Sequence, residues 1–193
     1  MQFDEIFPTY LVKDINLKLA EKLLPLCNRY TDETKTNCLH IENFPSTLYD
    51  RDLERKVMDE PEVKEAFDII IESYLKPFLN HRGINLPQPL KPFGFFSSMK
   101  KHAYLRKHCH LDSLFAGIIY LEVGKEVPPL ILYDPKPMRS FINWPLLPNN
   151  TKDTPLLVIP PQQGLVLLWD SYLEHEVPQK LNDEPRKTFV FNL

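Results

Sequence analysis

Apolar positions recur along this chain with two different periods, and the change between them falls near Pro87. In DINLKLAEKLLPLCNRY the leucines return at helical spacing, which predicts a helix capped by Asp14 or Asn16 and bent or ended by Pro25. A stronger helix follows in PEVKEAFDIIIESYLKPFLNHRG, where Pro61 stands near the first turn and His81, Arg82 and Gly83 supply an ending. Its residues Val63, Ala66, Phe67, Ile70, Tyr74, Leu75 and Phe78 fall on one face, which reads as the surface buried on a sheet. From Pro87 onward the period is that of strands. FGFFSS, AYLRKH, FAGIIYLEV, PLILYD, LLVIP, GLVLLW and RKTFVFNL are separated by turn residues, and short strands at this recurrence point to a sandwich or barrel.

The pattern gives a mainly β fold with N-terminal helices: an antiparallel barrel backed by α-helices. One domain over 1–193 is the expectation, with 1–86 as helical support and 87–193 as the β core. The opening IFPTYLV reads as a further strand. The connection KPMRSFINWPLLPNNTKDTP is long and rich in proline, which in a compact domain suggests a functional loop over a site, and its Trp144 is a candidate for the pocket entrance, as is Trp169.

Composition changes this picture little. Proline is plentiful at 19 and glycine scarce at 5, as suits short extended segments with proline corners. A net charge of -3 supplies no general basic field, which disfavours nucleic acid as a partner. The local basic stretch Lys100, Lys101, His102, Arg106 and Lys107 reads first as a solvated face. Cys27, Cys38 and Cys109 are odd in number and far apart, without a C-x-x-C pair, so a reducing compartment fits. No signal-peptide pattern and no membrane-length apolar run is evident; a soluble, cytoplasmic protein is the expectation.

The candidate chemistry lies in HCHLD, residues 108–112. On a strand, His108, His110 and Asp112 point to one side while Cys109 and Leu111 point to the other. His175, in WDSYLEHEVPQ, follows a strand far downstream and suits a ligand delivered from a neighbouring strand. Two histidines and a carboxylate leave open positions on an ion, the arrangement that lets non-haem Fe(II) take a chelating cosubstrate and then dioxygen. Zinc more often takes a closed tetrahedral set. Arg186, eleven residues after His175, offers a fork for a carboxylate, with Thr188 on the same strand face and Tyr120 in matching parity.

The order H-x-D, distal H, then R-x-T resembles the signature of the 2-oxoglutarate and Fe(II)-dependent dioxygenases. IFPTYLV, HCHLDSLFAGIIYL, LILYDPKP, IPPQQGLVLLWDSYLEHEVPQ and RKTFVFNL are similar to a little-characterised 2-oxoglutarate oxygenase family of bacteria and phages, related to the prolyl hydroxylases. The likeness covers most of the chain from about residue 90 onward, with a weaker echo at the N-terminus. It implies a double-stranded β-helix, a jelly-roll or cupin-like barrel with helices on one sheet. It further implies Fe(II), 2-oxoglutarate and O2 as cofactor and cosubstrates, and hydroxylation of a small molecule or protein residue with release of succinate and CO2. The iron ligands would be His110, Asp112 and His175; Arg186 would hold the distal carboxylate of 2-oxoglutarate, with Thr188 and Tyr120 beside it.

A second register stands beside the first. The closer family carries H-x-H, then a small polar residue, where this chain has Asp112, which makes His108 and His110 the pair and leaves three imidazoles on the metal. The register with Asp112 is favoured as the commoner chemistry. A rival of another class is a barrel that binds a metal or small acid without oxidising anything, as a sensor or binding module. A metal-dependent hydrolase or isomerase on a cupin-like barrel is disfavoured by RKT after the distal histidine. Substrate and oligomeric state are not legible.

Overall fold

The computed structural model describes residues 8–85, 89–136 and 154–193; Trp144 and most of the proline-rich connection fall in 137–153, outside them. Strand β1 (Leu11–Ile15) leads into helix α1 (Leu17–Glu33), followed by α2 (Arg51–Asp59) and α3 (Pro61–Ile69). A π-helical turn (Ile70–Leu75) joins α3 to α4 (Lys76–Arg82). The strands of the C-terminal half are β2 (Phe93–Ser98), β3 (Leu105–His108), β4 (Phe115–Val123), β5 (Leu130–Tyr133), β6 (Leu156–Ile159), β7 (Leu165–Asp170), β8 (His175–Val177) and β9 (Arg186–Asn192).

Asn16 is the cap of α1, its side-chain oxygen accepting from the Leu19 amide at 3.0 Å. Pro25 does not end this helix, which runs on to Glu33. A proline inside a helix costs about 3 kcal/mol, and each fully buried large apolar side chain returns roughly 1.5–3 kcal/mol. Leu19, Leu23, Leu26 and Tyr30 are all buried on one side of α1, so packing outweighs the lost backbone bond. The second helix forms as α3, the wide turn and α4. That turn comes just before Pro77, whose ring in a regular helix would press on the Ser73 carbonyl. Gly83, at φ +67°, closes α4 in the left-handed conformation. Helix α2 had no sequence expectation. Its apolar signal is only Leu53 and Val57, too short for a period to show, although Asp50 caps it.

The strands form two antiparallel sheets, β1-β7-β4-β9-β2 and β3-β8-β5-β6. From β2 to β5 and from β6 to β9 successive strands alternate between the sheets, the winding of a double-stranded β-helix. The larger sheet separates two cores by strand parity. Ile119 and Leu121 of β4, Val166 and Leu168 of β7, and Phe189 and Phe191 of β9 face the helices, where Phe67, Ile70, Leu75 and Phe78 pack on them. Gly117 lies on the same side because a Cβ there would meet the Phe191 ring at 2.1 Å. Ile118, Tyr120, Leu167 and Trp169 face inward between the sheets, toward Leu130, Leu132 and Val177 of the smaller sheet. The inward positions of β9 are therefore Arg186, Thr188, Val190 and Asn192, one register of alternate residues along a single strand.

Candidate metal centre

His108 is the last residue of β3 and stands directly opposite His175, the first residue of β8. Across that antiparallel pair their ring centroids are 4.2 Å apart. His110 lies just beyond the end of β3, and its amide donates to the Ser171 carbonyl at 2.9 Å, tying it to the β7–β8 turn that precedes His175. The Ser171 hydroxyl, bonded to the Ser113 carbonyl, adds a second tie between the same two loops. His110 reaches 5.0 Å from His175 and 5.3 Å from His108, centroid to centroid. One ligand atom from each of the three rings falls within 4.8 Å of the other two.

The hydrogen bonds fix which nitrogens those are. His108 Nδ1 lies 2.8 Å from the Arg106 carbonyl and His175 Nδ1 lies 3.0 Å from the Leu173 carbonyl. A carbonyl only accepts, so each Nδ1 carries the proton and donates it, leaving Nε2 with a free lone pair. His110 Nδ1 makes the same kind of bond at 2.6 Å to Oδ1 of Asn192. Burial holds all three rings below the ordinary imidazole range, His175 to about 3, with the neighbouring histidines adding to the effect for His175. Three neutral imidazoles, each oriented by a carbonyl acceptor behind it, make a donor set ready for a divalent ion.

Asp112 is not part of this cluster. The strand expected to run through 108–112 ends at His108, and Leu111 and Asp112 form an exposed turn. His110 is thus brought to the cluster by its tie to the Ser171 carbonyl and not by strand parity, and the Asp112 carboxylate stays on the lining of the cavity.

The cavity that contains the cluster has a volume of about 790 Å³ and also holds Arg186, Thr188 and Trp169 on its wall. Arg186 is 2% exposed. Its Nε donates to the Pro128 carbonyl at 3.3 Å and its Nη2 to the Tyr120 hydroxyl at 3.4 Å, and no carboxylate pairs with it among the described residues. Burial lowers the Arg186 pKa and raises that of the Tyr120 phenol, each effect opposed by the other group's proximity. Since Tyr120 accepts from the guanidinium, its own proton is available to donate. Thr188 shares a 2.8 Å hydrogen bond with the Ser97 hydroxyl. These residues fit a bound anion: a buried cation with no protein counter-charge in reach, flanked by hydroxyl groups.

A family profile described as "Putative 2OG-Fe(II) oxygenase" matches residues 95–192, just over half of the chain, a span that includes His108, His110, Tyr120, His175, Arg186 and Thr188. The chain belongs to this family. No curated protein matches the sequence. Among solved structures, this 2OG-Fe(II) oxygenase is similar to a prolyl hydroxylase of Trichoplax adhaerens in complex with a peptide fragment of the hypoxia inducible factor oxygen degradation domain. That likeness has a TM-score of 0.63 and 13% identity, over 94% of this chain and 82% of that one. A Pseudomonas putida prolyl-4-hydroxylase follows the fold with a TM-score of 0.59 and 12% identity, over 95% and 91% of the two chains. HygX of Streptomyces hygroscopicus, with nickel, 2-oxoglutarate and hygromycin B bound, gives 0.56 and 14% identity, over 95% and 83%. Of an oxidoreductase of the 2OG-Fe(II) oxygenase family from Burkholderia pseudomallei, the chain spans 56% of the length, at a TM-score of 0.48.

Two residues of the oxygenase site were not singled out from the sequence: Asn192, which holds His110, and Cys38, on the cavity wall with its thiol pushed up to about 12 by burial. For Asn192 the signal was present, since it shares parity with Arg186 and Thr188. The basic stretch upstream is largely paired on the surface: Lys107 with Glu174 at 2.8 Å, Lys101 with Asp183 at 3.8 Å, and Arg106 with the Tyr104 hydroxyl at 3.2 Å. Among the described residues no helix is long and apolar enough to cross a membrane.

Proposed function

We propose that the protein is an Fe(II)- and 2-oxoglutarate-dependent dioxygenase that hydroxylates a small-molecule or peptide substrate, with its metal held by Nε2 of His108, His110 and His175. The observation that carries this reading is the convergence of three neutral, oriented imidazoles in the cavity that also holds a buried arginine without a counter-charge. When bound, ferrous iron and 2-oxoglutarate supply the oxidising chemistry, with succinate and CO2 as products and O2 consumed.

The chain's own residues do the rest. The carbonyls of Arg106 and Leu173 and the Asn192 amide oxygen hold the three rings in one tautomer. Arg186 clamps the distal carboxylate of 2-oxoglutarate, and Tyr120 and Thr188 supply hydroxyl groups beside it. Across the larger sheet, Trp169 and Asn192 both pair with Ala116, whereas Thr188 pairs with Tyr120. The metal end and the clamp end are thus four residues apart on β4, about 13 Å along a strand, a gap that a five-carbon diacid bridges with the help of long side chains. Substrate enters past Leu111 and Leu114, which are exposed beside the site. Both a peptide and an aminoglycoside-sized molecule suit a cavity of this volume. Free thiols at Cys27, Cys38 and Cys109 suit a reducing, cytoplasmic setting.

The test is anaerobic addition of Fe(II) and 2-oxoglutarate to the purified protein, followed by admission of O2. A weak visible charge-transfer band and then succinate are expected. Metal binding with neither band nor succinate, in folded protein, would leave a binding module in place of an enzyme.

A further inference from the structure

Asp170 is the last residue of β7, and the turn 171–174 that follows it leads straight into His175. Two carbonyls of this turn set two of the three imidazoles. Ser171 accepts from the His110 amide at 2.9 Å, and Leu173 accepts from His175 Nδ1 at 3.0 Å. The sheet beyond the turn is a short anchor: β8 has three residues, and its register with β3 shifts between Leu105 and His108. Any displacement of the turn is therefore passed directly to both rings.

On the near side the anchor is an ion pair. Strand parity sends Trp169 toward the cavity and Asp170 toward the helices, where Arg82, the last residue of α4, donates from Nη1 to Asp170 Oδ1 at 2.6 Å. The Arg82 and Asp170 side chains are 19% and 7% exposed. The guanidinium also lies over the rings of Phe78, at 5.0 Å, and Tyr10, at 5.5 Å, which hold it in place against α4. Phe78 in turn meets Phe115 edge-on at 5.9 Å, and Phe115 is the β4 residue that pairs with Asp170. The Asp170 carbonyl accepts from the Leu173 amide at 3.0 Å and closes the turn.

A buried ion pair adds little net stability, because desolvation offsets the attraction, and what it supplies is a fixed geometry. We infer that Arg82 and Asp170 are a positioning pair for the metal centre, through which helix α4, on the far side of the larger sheet from the cavity, fixes the β7–β8 turn and with it the rings of His110 and His175. The inference rests on the three-histidine centre proposed above. Coupling between two sites is reciprocal, so a metal that holds the two rings also holds the turn and tightens the end of α4.

The test uses Co(II), whose affinity is read by competition with a chelating dye and whose visible bands report the arrangement of its ligands. Arg82→Met combined with Asp170→Leu removes both charges, so the thermal midpoint without metal is expected at or above that of the parent. Co(II) is nevertheless expected to bind about tenfold more weakly, the lower end of what loss of an orienting partner costs, with its visible bands shifted. A merely structural pair would move the midpoint and leave the affinity and spectrum of the folded protein as they were, and that result overturns the inference. Hydrogen exchange in the unsubstituted protein gives a second reading. Co(II) should slow exchange of the Gly83 and Ile84 amides, which bond to the Asn80 and Leu79 carbonyls at the end of α4. Unaltered exchange there with Co(II) bound also overturns the inference, and this reading decides should the double variant fail to fold. A parent protein that binds no Co(II) removes the three-histidine centre itself, whereas Co(II) binding indifferent to Arg82 and Asp170 removes the positioning pair alone.

Discussion

His110 and Asn192 are joined by a 2.6 Å hydrogen bond between Nδ1 and Oδ1, across a sequence separation of 82 residues. Asn192 is the last residue of the strand that begins with Arg186. A single strand thus orients a metal ligand at one end and presents the anion clamp at the other. Replacing an acceptor behind a metal-bound imidazole typically costs about 10- to 100-fold in metal affinity. Asn192→Leu is expected to weaken binding of Fe(II) or Ni(II) by that factor, read by competition with a chelating dye. Asn192→Asp, which keeps an acceptor, is expected to stay near the parent value.

Arg186 carries a cost in the absence of an anion, being a buried cation without a counter-charge among the described residues. Arg186→Met is expected to leave the thermal midpoint of the ligand-free protein unchanged or raised, because replacing a buried charge by an apolar side chain is often neutral or stabilising. The same change should weaken 2-oxoglutarate binding by about 1.5–3 kcal/mol, the worth of a charged hydrogen bond. Thermal melts with and without 2-oxoglutarate separate the two effects. A large loss of stability without ligand would make Arg186 a structural residue.

The depressed histidines tie stability to pH in one direction. His175 is held at about 3 in the folded chain by burial, whereas an unfolded histidine titrates near 6.5. Below about pH 6.5 the unfolded chain takes up a proton that the native state refuses, so stability is full above that pH and falls as pH drops toward about 3. By pH 5 this site alone accounts for a loss of roughly 2 kcal/mol in metal-free protein. Denaturant titrations of metal-free protein between pH 7.5 and pH 5 should show the loss, and His175→Gln should reduce it, leaving the smaller part that His108 and His110 contribute.

Much of the fold was legible because strand runs such as FGFFSS and FAGIIYLEV coincide with β2 and β4, and because the helical face from Val63 to Phe78 is the one buried on the sheet. Pro25 misled because local propensity counts a lost donor and not the apolar face packed around it. Helix α2 was missed because its two buried residues are too few to declare a period. Within the site, His110 meets His108 through its amide bond to the Ser171 carbonyl, whereas strand parity set Arg186, Thr188 and Tyr120 on the inward side. It failed at Asp112, because parity holds only while a strand lasts and β3 ends at His108. That stopping point depends on pairing with β8, which is three residues long, and pairing length is a property of two segments remote in sequence.

The central claim, a metal held by three imidazoles, is tested most directly by the metal content of two variants reconstituted with Fe(II) under anaerobic conditions. Asp112→Ala is expected to retain stoichiometric iron, and His108→Ala to lose it. Iron retained in His108→Ala and lost in Asp112→Ala would contradict the three-histidine centre and restore the carboxylate as a ligand.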